Sequence, residues 1–261
     1  ARIKPTVSLN AYDHYLRALW HLFPRTEANH AEALAQLDAA VAADPEFALA
    51  QALAGHCHYM RCVQGWAGAD RAAAVRLAEQ ALAKAPDDPE VLAHAALTLA
   101  FYGRGLAPSL QLVARALELN PNLVFAWFAD GWLHLHTDRP ETAIERFARA
   151  RRLSPLDPMA AGNAAAGISQ AELLRGQVEA AIEWGRRGAR EAADYAFPQR
   201  ALAAALGHAG RLDEAAAAGE ALLRIDPSFT IDGYFSRLNV RDTRATLQCE
   251  AGLRLAGLPE R

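Results

Sequence analysis

The stretch GHCHYMRC, residues 55–62, sets two histidines and two cysteines within about two helical turns. His58 and Cys62 are four residues apart, so both side chains leave one helix face and could reach one metal ion. A closed zinc site needs a second pair of ligands, and the sequence offers none. Cys57 and Cys62 are five apart and point about 140° away from each other on a helix. They are read as small packing residues. Cys249 stands alone, so there is no disulfide framework. No metal and no cofactor are expected. A reducing, cytoplasmic setting is the simplest reading of the cysteines.

Other chemistry is missing too. There is no GxxxxGK[ST], GxGxxG, HExxH or GxSxG. The Asp and Glu residues follow helical surface patterning, so no catalytic residue is expected. The net charge is −3, which gives no basic field for nucleic acid. The arginine clusters, Arg151 with Arg152 and Arg186, Arg187 with Arg190, read as solvated faces. The longest apolar run, VLAHAALTLAFY, is interrupted by His94 and is too short to span a membrane. ARIKPTVSLN lacks the apolar segment of a signal peptide and reads as a linker.

What remains is aromatic. Phe125, Phe128, Trp132 and Leu135 follow the 3-4-3 spacing of a single helix face. Such rings either anchor a partner or cement one element to the next, and the sequence leaves both open.

The elements that hold them are helices. The chain of 261 residues is 52% hydrophobic, 8% aromatic and rich in alanine. Good helix formers with few β-branched residues predict an all-α fold. Prolines recur at helix ends: Pro45 in AAVAADP, Pro86 in EQALAKAP, Pro121 in ARALELNP, Pro155 in ARARRLSP and Pro227 in EALLRIDP. The spacing is close to 34 residues, with one landmark missing near Ala193. Before these prolines run helices with regularly spaced small residues, such as Ala33 and Ala40, Ala74 and Ala81, Ala143 and Ala150. Small residues let two helices approach closely, and proline ends each unit.

The period and these residues resemble the tetratricopeptide (TPR) repeat family. The best unit, Val124 to Asp157, carries Trp127, Gly131, Ala143, Phe147, Ala150 and Pro155 at the family spacing. Asp130 stands where Leu is usual, and His134 where Tyr is usual. The resemblance implies a right-handed superhelix of about six helix–turn–helix units. They cover about 11–47, 48–88, 89–123, 124–157, 158–193 and 194–227, after a linker at 1–10. A C-terminal capping region at 228–261 includes the helix TRATLQCEAGLRLAGL. The second unit carries an inserted stretch, VQGWAGAD, in which Trp66 is expected to fold back onto its own or the preceding unit.

AYDHYLRA (11–18), RLSPLDP (152–158) and GLRLAGLPE (252–260) are similar to a particular TPR block. That block lies C-terminal to the catalytic or DNA-binding domains of bacterial class III adenylate cyclase-like proteins and winged-helix regulators. The resemblance implies the accessory part of a signalling protein whose parent is a nucleotide cyclase.

It also implies that each unit's first helix lines a concave groove. The groove residues would be Tyr12 and Tyr15, His56 and Tyr59, Phe101, Phe125, Phe128 and Trp132, Asn163 and Gln170, and Phe197 with Arg200. The expected function is non-catalytic: an interaction module for a protein segment or for the upstream domain of the same protein. The alternative is a small-molecule-sensing TPR domain of a transcriptional regulator. The groove lacks the Lys and Asn set with which some TPR domains clamp a C-terminal carboxylate.

Overall fold

The helices form where alanine and leucine dominate, and they end where the capping chemistry changes. The computed structural model describes residues 6–22 and 25–261. Among these the chain is all-α, with no strand. The first three helix pairs are α1 (Leu9–Leu22) with α2 (Glu27–Ala43), α3 (Ala48–Gln64) with α4 (Arg71–Lys84), and α5 (Pro89–Tyr102) with α6 (Leu106–Leu119). Three more follow: α7 (Val124–His136) with α8 (Pro140–Leu153), α9 (Pro158–Leu174) with α10 (Val178–Glu191), and α11 (Ala196–His208) with α12 (Leu212–Ile225). Two further helices, α13 (Ile231–Phe235) and α14 (Arg244–Leu255), close the chain. The fold is thus the expected all-α series of helix–turn–helix units with C-terminal capping structure. Part of the expected linker, residues 1–5, lies outside the described residues, and α1 already begins at Leu9. No helix among the described residues is long and apolar enough to cross a membrane.

The prolines act as punctuation. Asp44, Ala85, Asn120, Ser154 and Asp226 are C-caps, and each is followed at once by one of the five landmark prolines. A different set, Pro89, Pro140 and Pro158, opens α5, α8 and α9, where a missing N–H leaves no hydrogen bond unmade. Asp70, Asp88 and Asp157 accept backbone N–H groups at helix starts. Where the period lacks its proline, α10 ends at Glu191 with Ala192 as C-cap and no proline directly after it.

The chain divides into two compact units, residues 1–126 and 127–261, and α7 begins in the first and continues into the second. In the first unit α3 packs against α2, α4 and α5. Fully buried alanines, among them Ala50, Ala54, Ala78 and Ala95, keep those helices close. In the second unit α9 packs against α8, α10 and α11. The buried ring of Phe147 fits a slot made by two glycines. A Cβ on Gly131 would lie 2.7 Å from the ring, and one on Gly167 2.6 Å from it. The two departures from the repeat signature satisfy each other: buried Asp130 takes Arg146 at 2.8 Å and His134 at 3.3 Å.

The inserted stretch in the second pair is partly helical. Val63 and Gln64 extend α3, leaving 65–70 as the turn, whereas 137–139 suffice between α7 and α8. Gly65 and Gly68 take positive φ there, which glycine alone adopts without strain. Trp66 turns back to the preceding pair. Its ring centroid lies 5.0 Å from that of His30 on α2, and the adjacent Ala67 N–H donates to Glu27 at 2.7 Å. Trp66→Ala is therefore expected to cost about 1–3 kcal/mol, read as a lower Tm in a circular-dichroism melt. An unchanged Tm would mean that this contact holds nothing.

Candidate functional site

The first-helix face of the first unit gathers most of the expected residues there. His56 on α3 meets three rings: Tyr59 at 5.3 Å, His94 at 5.1 Å and Phe125 at 5.1 Å between centroids. His94 and Phe125 stack at 4.1 Å. Tyr59 continues the set to Phe101 at 5.6 Å and Tyr102 at 5.8 Å. Tyr59 and Phe101 are buried and support the surface, whereas His56, His94 and Phe125 remain partly exposed. Beside them opens a cavity of about 440 Å³, lined by Glu90, His94, Asn120, Asn122, Leu123, Val124 and Phe125. Tyr12 and Tyr15 do not join this set. Tyr15 is buried against Phe47 at 5.3 Å, with Tyr12 stacked beside it at 6.0 Å.

Sequence reasoning missed His94. The one residue expected on α5 was Phe101, which lies seven residues, about two turns, beyond His94 on the same helix face. The available signal was the interruption itself, a lone histidine in the apolar run VLAHAALTLAFY. Burial pushes the His94 imidazole down to about 4. Burial also holds His56 well below the usual histidine range, with His94, Arg25 and His30 adding in the same direction. Both rings are therefore neutral at pH 7. The Nδ1 of each is buried with no hydrogen-bond partner. The rings offer an uncharged aromatic surface, His94 stacked on Phe125 and His56 edge-on to both, with Glu90, Asn120 and Asn122 lining the cavity beside it.

GHCHYMRC carries no reactive thiol. Cys57 is fully buried, and burial pushes its thiol up to about 12; burial raises Cys62 as well. Among the described residues no group of three or more His, Cys, Asp or Glu could hold a metal ion. His58 instead sits near Asp38 and Asp70.

In the second unit the corresponding face is covered in part: Phe128, Trp132 and Gln170 stay partly exposed. Trp132 lies 6.1 Å from Phe128, 5.8 Å from Phe147 and 5.1 Å from Phe197. Leu135, expected on the same stripe, is fully buried in the core. Asn163, Phe197 and Arg200 are buried. The reason is the C-terminal segment, which packs on α11 and α9. Arg200 donates to the Tyr234 hydroxyl at 2.8 Å. Gln170 Nε2 approaches Cys249 Sγ at 3.5 Å, and Gln248 donates to the Leu173 carbonyl at 2.8 Å. His136 meets Thr243 at 3.0 Å. Phe229, Ile231 and Phe235, all buried, anchor the segment. Sequence reasoning placed a cap at the end of the array, but it could not place that cap on the first helices.

No protein-family model matches the chain, and no curated protein is similar to it by sequence. Solved structures are similar in fold. PilW, described as a widely conserved type IV pilus biogenesis factor, is 16% identical at a TM-score of 0.60, over 87% of this chain and 97% of its own. Yeast Tom70 is 13% identical at 0.59, over 99% of this chain and 55% of its own. A protein of Thermus thermophilus, TTC0263, described as a thermophilic TPR protein, is 22% identical at 0.57, over 70% of this chain and 96% of its own. At these identities the likeness is one of fold, and the fold of this chain is that of TPR proteins.

Proposed function

We propose that this chain is a non-catalytic TPR interaction module that binds a protein segment on the first-helix face of its first unit. One observation carries the reading: His56, His94 and Phe125 form a contiguous, partly exposed ring surface beside an open cavity. Binding energy at protein surfaces concentrates in a few well-supported aromatic anchors. Here Tyr59 and Phe101 supply that support from below. On the matching face of the second unit Asn163, Phe197 and Arg200 are already buried and the C-terminal segment packs on α9 and α11, so these three serve as packing residues, while Phe128, Trp132 and Gln170 stay partly exposed.

The similarity of AYDHYLRA and GLRLAGLPE to a TPR block of adenylate cyclase-like proteins supports a finer reading. In it the chain is the C-terminal part of a bacterial, cytoplasmic signalling protein, and its partner is an upstream domain or a separate protein segment. A second reading, a small-molecule sensor in a transcriptional regulator, draws on the cavity, whose 440 Å³ lies within the usual range for small ligands.

Panning a displayed random-peptide library on the intact chain tests the proposal. Selected peptides should lose affinity by about tenfold or more when His94→Ala and Phe125→Leu are combined, with the melting curve essentially retained. Phe128→Leu in the second unit should leave affinity unchanged. A library that yields no binder, or binders indifferent to the first pair, would refute it.

A further inference from the structure

Helix α1 is apolar on two opposite sides. Ala11, Tyr15 and Ala18 face inward and are buried. The opposite stripe is Leu9, Asp13, Leu16 and Trp20, and it is open: Leu9 is 72% exposed, Leu16 46% and Trp20 79%. Leu19 and Val7 add exposed apolar surface at its margins. Among the described residues nothing covers this stripe.

The spacing of the stripe indicates what covers it. The intervals 9–13, 13–16 and 16–20 run 4-3-4, a pattern that reads the same in both directions. Two such helices laid antiparallel about a two-fold axis bring Leu9 of each copy against Trp20 of the other. Asp13 of each then lies beside Leu16 and Arg17 of the other. Asp13 and Arg17 already pair within the helix at 2.7 Å while both stay more than half exposed. Across the axis the same four charges alternate in sign, so the polar interruption of the stripe becomes complementary instead of repulsive. An isologous contact requires this self-complementarity.

We propose that α1 is a homodimerisation surface, in which two copies of this chain pair antiparallel through Leu9, Leu16 and Trp20, with Asp13 and Arg17 setting the register. A single pair of short helices makes a small interface of the transient class. The dimer is therefore reversible and concentration-dependent.

Sedimentation velocity on the intact chain, from about 1 μM to several hundred μM, reads the equilibrium directly. The expected result is a monomer shifting to a dimer across that range. Leu16→Glu with Trp20→Glu should hold the chain monomeric throughout, with an unchanged far-ultraviolet spectrum and Tm, because neither side chain is needed inside one copy. Asp13→Arg should weaken pairing by about tenfold or more, and adding Arg17→Asp should restore it. That rescue distinguishes an antiparallel two-fold contact from non-specific apolar association. A chain that stays monomeric at every concentration overturns the proposal and leaves the stripe to a different partner. A dimer that survives the double glutamate variant overturns it as well.

Discussion

Gly207→Ala is expected to cost the second unit about 2–4 kcal/mol, although alanine is the better helix former. The same substitution at Gly219 is expected to gain up to about 1 kcal/mol. Both glycines sit in helices, Gly207 in α11 and Gly219 in α12. Removing a helical glycine favours folding through chain entropy in each case. What differs is the neighbour. A Cβ on Gly207 would overlap the backbone carbonyl of Gly252 on α14 and come within 3.0 Å of the Ala256 nitrogen. Neither atom can move without moving the whole helix. A Cβ on Gly219 would rest 3.4 Å from the Leu258 side chain, in ordinary contact. In the first case α14 must leave α11. It then surrenders the burial of Cys249 and Leu253 and strains the Arg200–Tyr234 and Gln248–Leu173 hydrogen bonds. Urea titration followed by circular dichroism measures both variants. Limited proteolysis should cut the C-terminal segment of Gly207→Ala first. Equal stability of the two variants would show that α14 is not held by backbone approach.

Acid should unfold the protein in a window set by histidine. His30 is pushed down to about 4 by burial, with Arg25 and Arg61 adding to it, and burial alone takes His136 to about 4. In the unfolded chain each titrates near 6.5. Below that pH the unfolded state takes up a proton that the folded state refuses, so folded stability is complete above about 6.5 and declines as pH falls toward 4. The shift corresponds to about 3 kcal/mol for each of the two residues, as an upper estimate. His30 lies in the first unit and His136 in the second, so both units should weaken. The carboxylates act lower down. Hydrogen bonds from Arg151 and Arg187 hold Glu191 below its ordinary value, so its contribution is lost only at more acidic pH. Replacing His30 and His136 together by phenylalanine keeps rings against Trp66 and Trp132 and removes their share of the proton uptake, leaving that of His56 and His94. The double variant should show a flatter dependence of stability on pH across the interval between the unfolded and folded histidine values, about 6.5 to about 4. A wild-type stability that is flat across that interval would contradict the assignment.

The amino-acid sequence by itself determined the helix pairs and their punctuation. That information is local: prolines follow C-caps at Asp44, Ala85, Asn120, Ser154 and Asp226, and aspartates cap helix starts. The glycine–phenylalanine slot of Gly131 and Phe147 was legible for the same reason, since both belong to one repeat signature. That Trp66 folds back followed from its size and apolarity, but its choice of the preceding pair over its own was decided by the tertiary structure. The role of each ring was not legible. His56, His94 and Phe125 come from three different helices, and only tertiary packing brings them to one face. On α5 only Phe101 was named, and His94 two turns before it was passed over, because a single histidine in an apolar run carries no sign of which helices will face it. The fate of the second unit's face depended on the C-terminal segment. That segment pairs residues far apart in sequence, Arg200 with Tyr234 and Gln170 with Cys249. Periodicity records which side of a helix is apolar. It does not record which distant element, from the same chain or another copy, will cover that side, because that is decided by shape and by the few backbone positions, such as Gly207 and Gly252, where helices can touch.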